Sequence, residues 1–346
     1  MKLAPFQRIL REHHIDLAFL VHPDPNLIYG VQMKPSYGYF LITPAQATLY
    51  LTKLDAFPRL RGVQVKPFAK NWEKNYRKIK KIGINKQTLT VAQAEKIQKK
   101  WPKAKLVDIA SHLIELRVQK IPEEIRKIQK ACTITIKAFQ DLLQELPAKR
   151  LKTEQEVAFF LEKSMRQQGA EIAFPTIAAS GKNAAVPHHV PTAEPLQRGF
   201  LVLDFGAQYQ HYCADMSRTI FLGTPTKKEK MFYELVLRAQ QASITAVKEG
   251  IPFTTLEAVA RKQLGKYSSK FIHSLGHGIG IEVHEAPVFS DTKWKIQRNM
   301  VFTIEPGIYV PGKFGIRIED TLLFDGKVKI LTDCTKELIR VPELKL

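Results

Sequence analysis

Leu201-Val202-Leu203-Asp204-Phe205-Gly206 is an apolar run with one carboxylate set into it. Its length and side chains read as a buried β-strand, an environment that charges avoid. The pattern returns three more times. Asp215 stands in Ala214-Asp215-Met216-Ser217-Arg218-Thr219-Ile220, and Glu305 in Val301-Phe302-Thr303-Ile304-Glu305-Pro306-Gly307. Glu319 stands in Ile316-Arg317-Ile318-Glu319-Asp320-Thr321-Leu322. Burying an unpaired carboxylate costs several kcal/mol, so a set of four demands compensating cations. Arg218 and Arg317 could neutralise two of them; two divalent cations would neutralise all four. Any one of these acids alone would be read as half of a structural ion pair. Together they read as the lining of a site.

Strand alternation sharpens that reading. If the last segment is one continuous strand, Arg317, Glu319 and Thr321 share a face, opposite Ile316, Ile318 and Leu322. In the second, Asp215, Ser217 and Thr219 share a face. A further element is Phe271-Ile272-His273-Ser274-Leu275-Gly276-His277-Gly278-Ile279-Gly280-Ile281-Glu282-Val283-His284-Glu285-Ala286-Pro287, with three histidines and three glycines. Such a run suits imidazoles presented where backbones approach closely. The polar stretch Ala178–His189 would be an ordinary turn by itself, yet it adds His188 and His189.

Outward from these motifs, the last two thirds predict helices and β-rich segments. Pro122-Glu123-Glu124-Ile125 opens a helix, with proline in the first turn and acids at the positive end of the dipole. A second helix is expected over 154–168 with Gly169 as its C-cap, and others near 228–248 and 255–265. Strand-rich stretches are expected at 201–222 and 300–324. The first third predicts a smaller α/β unit. A helix closes over Leu10–His14, Leu17–Val21 is a strand, and Pro23, Pro25 and Gly30 mark a turn-rich connection. Tyr39–Thr43 and Ala47–Leu51 form a strand pair, Ile82–Ile84 is a short strand, and Thr90 caps a helix over Val91–Lys100. The boundary belongs near Lys120, giving domains 1–120 and 121–346.

The chain has 346 residues, of which 45% are hydrophobic, enough to build two sizeable cores. No run approaches the ~20 apolar residues that span a bilayer. Cys132, Cys213 and Cys334 are far apart and form no CxxC pair, which argues for a reducing compartment and a cytoplasmic protein. The formal charge of +20 is the kind of excess that nucleic-acid binders carry. Much of it is lysine between Lys78 and Lys105, without the aromatic and glycine interleaving of RNA-binding sheets, so a solvated basic surface is the expectation.

On the stretches LDFGAQYQHYCADMSRT, HSLGHGIGIEVHEAP, TIEPGIYV and GIRIEDT, with SGKNAAVPHHVP upstream, the sequence resembles the pita-bread metallopeptidases. Within them it is most similar to prolidase and aminopeptidase P. The resemblance runs from about Val118 to the end and is weaker in the first domain, around Asn26-Leu27-Ile28-Tyr29-Gly30. It implies a creatinase-like α/β N-terminal domain followed by an α+β pita-bread catalytic domain of the creatinase/aminopeptidase type. It also implies two divalent metals, with manganese or cobalt preferred and iron or zinc as alternatives. Asp204 would chelate one metal, His277 and Glu305 would bind the other, and Asp215 and Glu319 would bridge them. Glu305 would also serve as acid–base partner, and His188 and His284 as catalytic, substrate-contacting imidazoles. His273 and Arg317 would line the substrate pocket. Because His189 follows His188 where many relatives carry glycine, the two must be told apart; His188 is the expected contact.

The activity implied is hydrolysis of the bond preceding proline, a tertiary amide without an N–H, for which ordinary strand-like docking fails. A dipeptidase acting on Xaa-Pro is preferred over an aminopeptidase P acting on longer chains. A catalytically inactive, nucleic-acid-binding pseudopeptidase is the alternative from another class, and the complete ligand set argues against it. The resemblance further implies a homodimer and a first domain that limits peptide length.

Overall fold

Leu17–Val21, buried along its whole length, is the strand around which the first unit assembles. The computed structural model describes residues 3–148 and 150–341. The chain divides between Arg117 and Val118. In chain order the first unit has helix α1 (Leu3–Glu12), strand β1 (Leu17–Val21), helix α2 (Pro25–Val31) and strands β2 (Gly38–Ile42), β3 (Ala47–Leu51), β4 (Val63–Pro67) and β5 (Lys81–Ile84). Helix α3 (Val91–Lys100), strand β6 (Lys105–Asp108) and helix α4 (Ala110–Val118) complete it. Among the described residues the sheet order is β4-β3-β2-β1-β5-β6. β1 runs antiparallel to β2 and parallel to β5.

The β2–β3 hairpin, β5 and α3 appear where the sequence pattern puts them. Thr90 caps α3 by accepting from the Gln93 amide, and the Gln93 side chain returns the bond. The stretch after Pro23 is different. It was expected as irregular turn and is helix α2, because Asp24 accepts from the Asn26 amide at 2.7 Å and Pro25 starts the turn. Strands β4 and β6 also lay outside the expectation, since both are half exposed and lysine interrupts their apolar pattern.

The second unit opens with α5 (Pro122–Glu145) and α6 (Glu154–Gln167), followed by β7 (Glu171–Ile172), β8 (Ile177–Ser180), β9 (Gly199–Phe205), β10 (Ala207–Tyr209), β11 (Tyr212–Cys213) and β12 (Met216–Leu222). Helices α7 (Lys227–Thr245) and α8 (Phe253–Leu264) come next. Then follow β13 (His277–Gly278), β14 (Glu285–Val288), β15 (Met300–Ile304), β16 (Gly307–Val310), β17 (Phe314–Arg317), β18 (Asp320–Phe324), β19 (Val328–Ile330) and β20 (Arg340–Val341). The main sheets order as β20-β12-β9-β8 and β14-β13-β15-β18-β19, with β16–β17 as a separate hairpin. Phe139 and Leu142 of α5 and Val157, Leu161 and Met165 of α6 bury their side chains against Leu201, Leu203, Phe205 and Ile220 of β9 and β12.

The acidic segments are not the continuous strands that alternation assumed. β17 ends at Arg317 and β18 begins at Asp320, so Glu319 sits where the chain leaves one sheet for another. Asp215 lies in the gap between β11 and β12, and Glu305 follows the last residue of β15. Only Asp204 lies within a strand, and it pairs in register with Ser217.

Helix α7 begins on a capping box, in which Thr226 accepts from the Glu229 amide while Glu229 accepts from the Thr226 amide at 2.7 Å. Arg198 holds Glu229 through two bonds of 2.8 and 2.9 Å. This pairing, aided by Thr226 and opposed by partial burial, lowers the Glu229 pKa to about 2. Thr226→Ala should cost about 1 kcal/mol, a fall of about 2–4 °C in Tm by calorimetry. A carboxylate with a depressed folded pKa stabilises above its unfolded pKa and loses that contribution as pH falls through the folded value. Glu229→Gln should therefore melt below wild type at neutral pH, and the gap should close towards pH 2. A gap that stays constant across that range would remove the Arg198–Glu229 pair from the account.

Candidate metal centre

The strand ends bring the acids of separate segments to one place. Asp215, His277 and Glu319 each offer a donor atom within 4.8 Å of the others'. His277 Nε2 lies 3.6 Å from Asp215 Oδ2 and 3.4 Å from Glu305 Oε1. Its Nδ1 is 3.1 Å from the Gly278 carbonyl and so must carry the proton, which turns the Nε2 lone pair towards the carboxylates. The flanking glycines make this possible. A Cβ on Gly276 would meet the Thr303 carbonyl at 2.2 Å, and one on Gly278 would meet the Ala286 carbonyl at 2.1 Å.

The carboxylates are positioned by neutral donors and one arginine. Ser217 Oγ donates to Glu319 Oε2 at 2.8 Å. The Glu319 amide donates to the Ser217 carbonyl. Thr321 is bonded to both the amide and the carbonyl of Asp215. Arg317 Nη2 donates to Asp204 Oδ2 at 2.6 Å. The remaining Arg317 bonds go to Ser217 Oγ, the Pro187 carbonyl and the Tyr309 hydroxyl.

Three oxygens are left over. Asp204 Oδ1, Asp215 Oδ1 and Glu319 Oε1 are buried without a hydrogen-bond partner. Burial and the neighbouring acids push the Asp215 and Glu305 pKa values well above the carboxylate range, with Glu319 prominent among those neighbours in both cases. For Glu319, burial and Asp204 raise it to about 8. Burial, with His284 adding to it, holds His277 at about 4, so its imidazole is neutral and able to coordinate. Crowded acids with orphaned oxygens around a neutral imidazole fit divalent cations. The oxygen-rich donor set suits manganese, iron, cobalt or zinc better than a thiolate-based structural site would.

The other histidines take distinct places. The His284 ring centroid is 4.3 Å from that of His277, nearly perpendicular to it. His273 Nδ1 is 2.8 Å from the Ser274 carbonyl and must donate to it, so Nε2 accepts the Tyr309 hydroxyl at 2.9 Å. Arg317 donates to the same hydroxyl at 2.8 Å, which makes a directed chain from Arg317 through Tyr309 to His273. The fixed tautomer leaves His273 no ring N–H to offer elsewhere. Burial, with Arg317 beside it, lowers the His273 pKa to about 4. His188 is exposed, and its charge would be felt by both His273 and His284. His189 turns the other way, its Nε2 2.8 Å from Glu154 Oε2.

Tyr309 and Glu154 are the residues that sequence pattern alone does not single out. Tyr309 is one tyrosine in an apolar strand, and Glu154 looks like an ordinary first-turn acid. The only available signal was indirect: TIEPGIYV places Tyr309 four residues beyond Glu305.

Residues 126–325 match the family model described as metallopeptidase family M24, and residues 2–119 match the Creatinase/Prolidase N-terminal domain. The chain is 40% identical over 349 residues to a Xaa-Pro dipeptidase of Pyrococcus horikoshii, covering 98% of each. It is 37% identical over 350 residues to a Xaa-Pro dipeptidase of Pyrococcus furiosus, covering 98% of this chain and 99% of the relative. Among solved structures it is similar to the prolidase from Pyrococcus horikoshii OT3, with a TM-score of 0.89 at 36% identity over 98% of this chain and 99% of that one. The X-Pro aminopeptidase from Thermotoga maritima MSB8 is similar at a TM-score of 0.88 and 32% identity, over 96% of this chain and 100% of that one. With buried acids gathered about His277 and a family match over most of its second unit, this chain belongs to metallopeptidase family M24.

Proposed function

We propose that this enzyme is a metallo-exopeptidase that hydrolyses the peptide bond preceding proline, acting on Xaa-Pro dipeptides. The observation that carries the reading is the set of uncompensated buried oxygens on Asp204, Asp215 and Glu319 around His277, in a chain whose full-length relatives are Xaa-Pro dipeptidases. Asp204, Asp215, His277, Glu305 and Glu319 would hold two divalent ions, with Asp215 and Glu319 shared between them. When bound, such ions supply Lewis acidity towards a carbonyl and towards water at neutral pH.

The chain's own residues do the rest. Glu305, whose proton affinity is raised by burial and by Glu319, serves as the acid–base group. His284, beside His277 and lowered in pKa by burial, stabilises the developing oxyanion through a ring N–H or, after first taking up a proton, passes it to the proline nitrogen. His188 reaches substrate. Arg317 holds Asp204 and, through Tyr309, fixes His273 as a wall of the pocket. Manganese or cobalt is the proposed metal, with iron or zinc as alternatives. The free cysteines Cys132, Cys213 and Cys334 support a cytoplasmic location. A homodimer, and domains bounded at Lys120, complete the reading. The alternative is an Xaa-Pro aminopeptidase on longer peptides, favoured by the structural likeness to the Thermotoga enzyme.

Manganese-loaded protein should release proline from Ala-Pro much faster than it cleaves Ala-Pro-Ala at equal concentration, read by product chromatography. Efficient cleavage of the tripeptide would establish the aminopeptidase alternative instead. Turnover that survives exhaustive chelation would sink the metal-dependent mechanism. Glu319→Gln removes an acid that the metal-free fold must hold protonated against its ordinary pKa, so the metal-free variant should melt at or above metal-free wild type at neutral pH. It should lose the metal-induced rise in Tm, which for wild type at 100 times Kd is worth about 2.7 kcal/mol. An unchanged metal-induced rise in that variant would take Glu319 out of the ligand set.

A further inference from the structure

Glu154 is the first residue of α6 and is 1% exposed. A buried carboxylate at a helix N-terminus could be a simple partner of the helix dipole. Its bonds say otherwise, because every one reaches into a distant segment. Oε1 accepts from the Ser180 amide at 2.7 Å, Ser180 Oγ at 3.2 Å and Asn183 Nδ2 at 3.0 Å. Oε2 accepts from the Thr192 amide and Thr192 Oγ1, both at 3.0 Å, and pairs with His189 Nε2 at 2.8 Å. Burial alone would raise the pKa of such a group, yet the bonds from Ser180, His189, Asn183 and Thr192 bring it below the ordinary carboxylate value.

The segment so gathered runs from the end of β8 to Thr192 and carries His188. It is held at further points as well. Arg317 Nη1 donates to the Pro187 carbonyl at 3.3 Å. Gly315 lets the Ala184 carbonyl approach so closely that a Cβ there would meet it at 1.8 Å. His188 therefore lies between Pro187, held by the arginine that clasps Asp204, and His189, held by Glu154. Its own side chain is exposed, on a turn with no helix or strand to restrain it. An exposed imidazole on a free turn would sample many positions, and ordering it has an entropic cost.

We infer that Glu154 is a positioning residue for the peptidase reaction: it clamps Ser180–Thr192 so that His188 is presented to substrate from one fixed position. This rests on the peptidase reading above. Glu154 touches no substrate in this account; it acts through His189 and the loop. His189 is thereby the anchor of the histidine pair and His188 the working member.

The test compares Glu154→Gln, Glu154→Ala, Thr192→Val, His189→Gln and His188→Ala in manganese-loaded protein on Ala-Pro, with metal content and Tm measured on each. A displacement of about 1 Å at a catalytic group can lower rate by about 100-fold. Glu154→Ala and Glu154→Gln should accordingly lower kcat/KM by about 10- to 100-fold while metal content stays at the wild-type ratio. Thr192→Val, which leaves the carboxylate in place, should give a smaller loss of the same kind should Glu154→Ala fail to fold. His189→Gln can still donate to Glu154 and should retain most activity. The decisive readout is the double variant His188→Ala/Glu154→Ala. If Glu154 works through His188, adding Glu154→Ala to His188→Ala should cost little further turnover. Equal fold-losses in both backgrounds, or Glu154→Gln turnover within about twofold of wild type, would overturn the proposal. Amide exchange gives a second arm that needs no activity. Exchange at the Ser180 and Thr192 amides should rise at least about tenfold in Glu154→Ala, and unchanged exchange overturns the clamp. Should wild-type protein hydrolyse no proline peptide, the peptidase reading falls, while the exchange result still decides whether Glu154 holds the segment.

Discussion

The energetics of buried negative charge organise the catalytic unit. Glu319 and Asp320 are neighbours in the chain, and both are essentially sealed from solvent. Their surroundings resolve the problem in opposite ways. Asp320 accepts from Arg218, Thr332, Gln240 and Lys336, and although burial opposes ionisation, Arg218 and Lys336 bring its pKa below the usual value. Glu319 has Ser217 on one oxygen and nothing on the other, and burial with Asp204 nearby drives its pKa the opposite way. One carboxylate is a closed structural pair; the other is left open at the site. Arg218 links them, since it bonds to both the Asp320 carboxylate and the Glu319 carbonyl. A satisfied network thus forms the backing against which the unsatisfied one is held rigid.

The open acids sit where strands stop. Asp215, Glu305 and Glu319 all lie at or just past strand ends, where the backbone is no longer committed to a ladder and can turn a carboxylate inward. Each then recovers part of the lost bonding from a nearby hydroxyl: Thr321 for the Asp215 backbone, Thr303 of the preceding strand for Glu305, and Ser217 for Glu319. Short hydroxyl side chains serve here because they complete the lining without adding charge of their own.

The sequence showed the acids plainly, because a carboxylate in an apolar run is conspicuous whatever the tertiary fold. It also showed the imidazoles, where glycines flank His277 for a reason now visible in the close backbone approach. It misjudged how the acids are displayed. Alternation along 316–322 put Arg317 and Glu319 on one strand face, whereas the chain changes sheets between them. Helix α2 was hidden because its proline and glycine are turn formers until the Asp24 cap is known. Tyr309 and Glu154 were hidden for a deeper reason. Glu154 is defined by partners between 26 and 38 residues away in the chain, and Tyr309 by the link it makes from Arg317 to His273, 36 residues away, and local patterning carries no trace of such pairings.

The crowded acid cluster also bears on how long a molecule survives. Without bound cations, Asp215, Glu305 and Glu319 must take up protons or repel one another inside a buried site. A metal-starved copy therefore stands nearer the edge of unfolding than a loaded one, and open states are what proteases capture. Abundance of the enzyme would follow metal supply after synthesis, with idle copies removed by ordinary turnover and no dedicated sensor required.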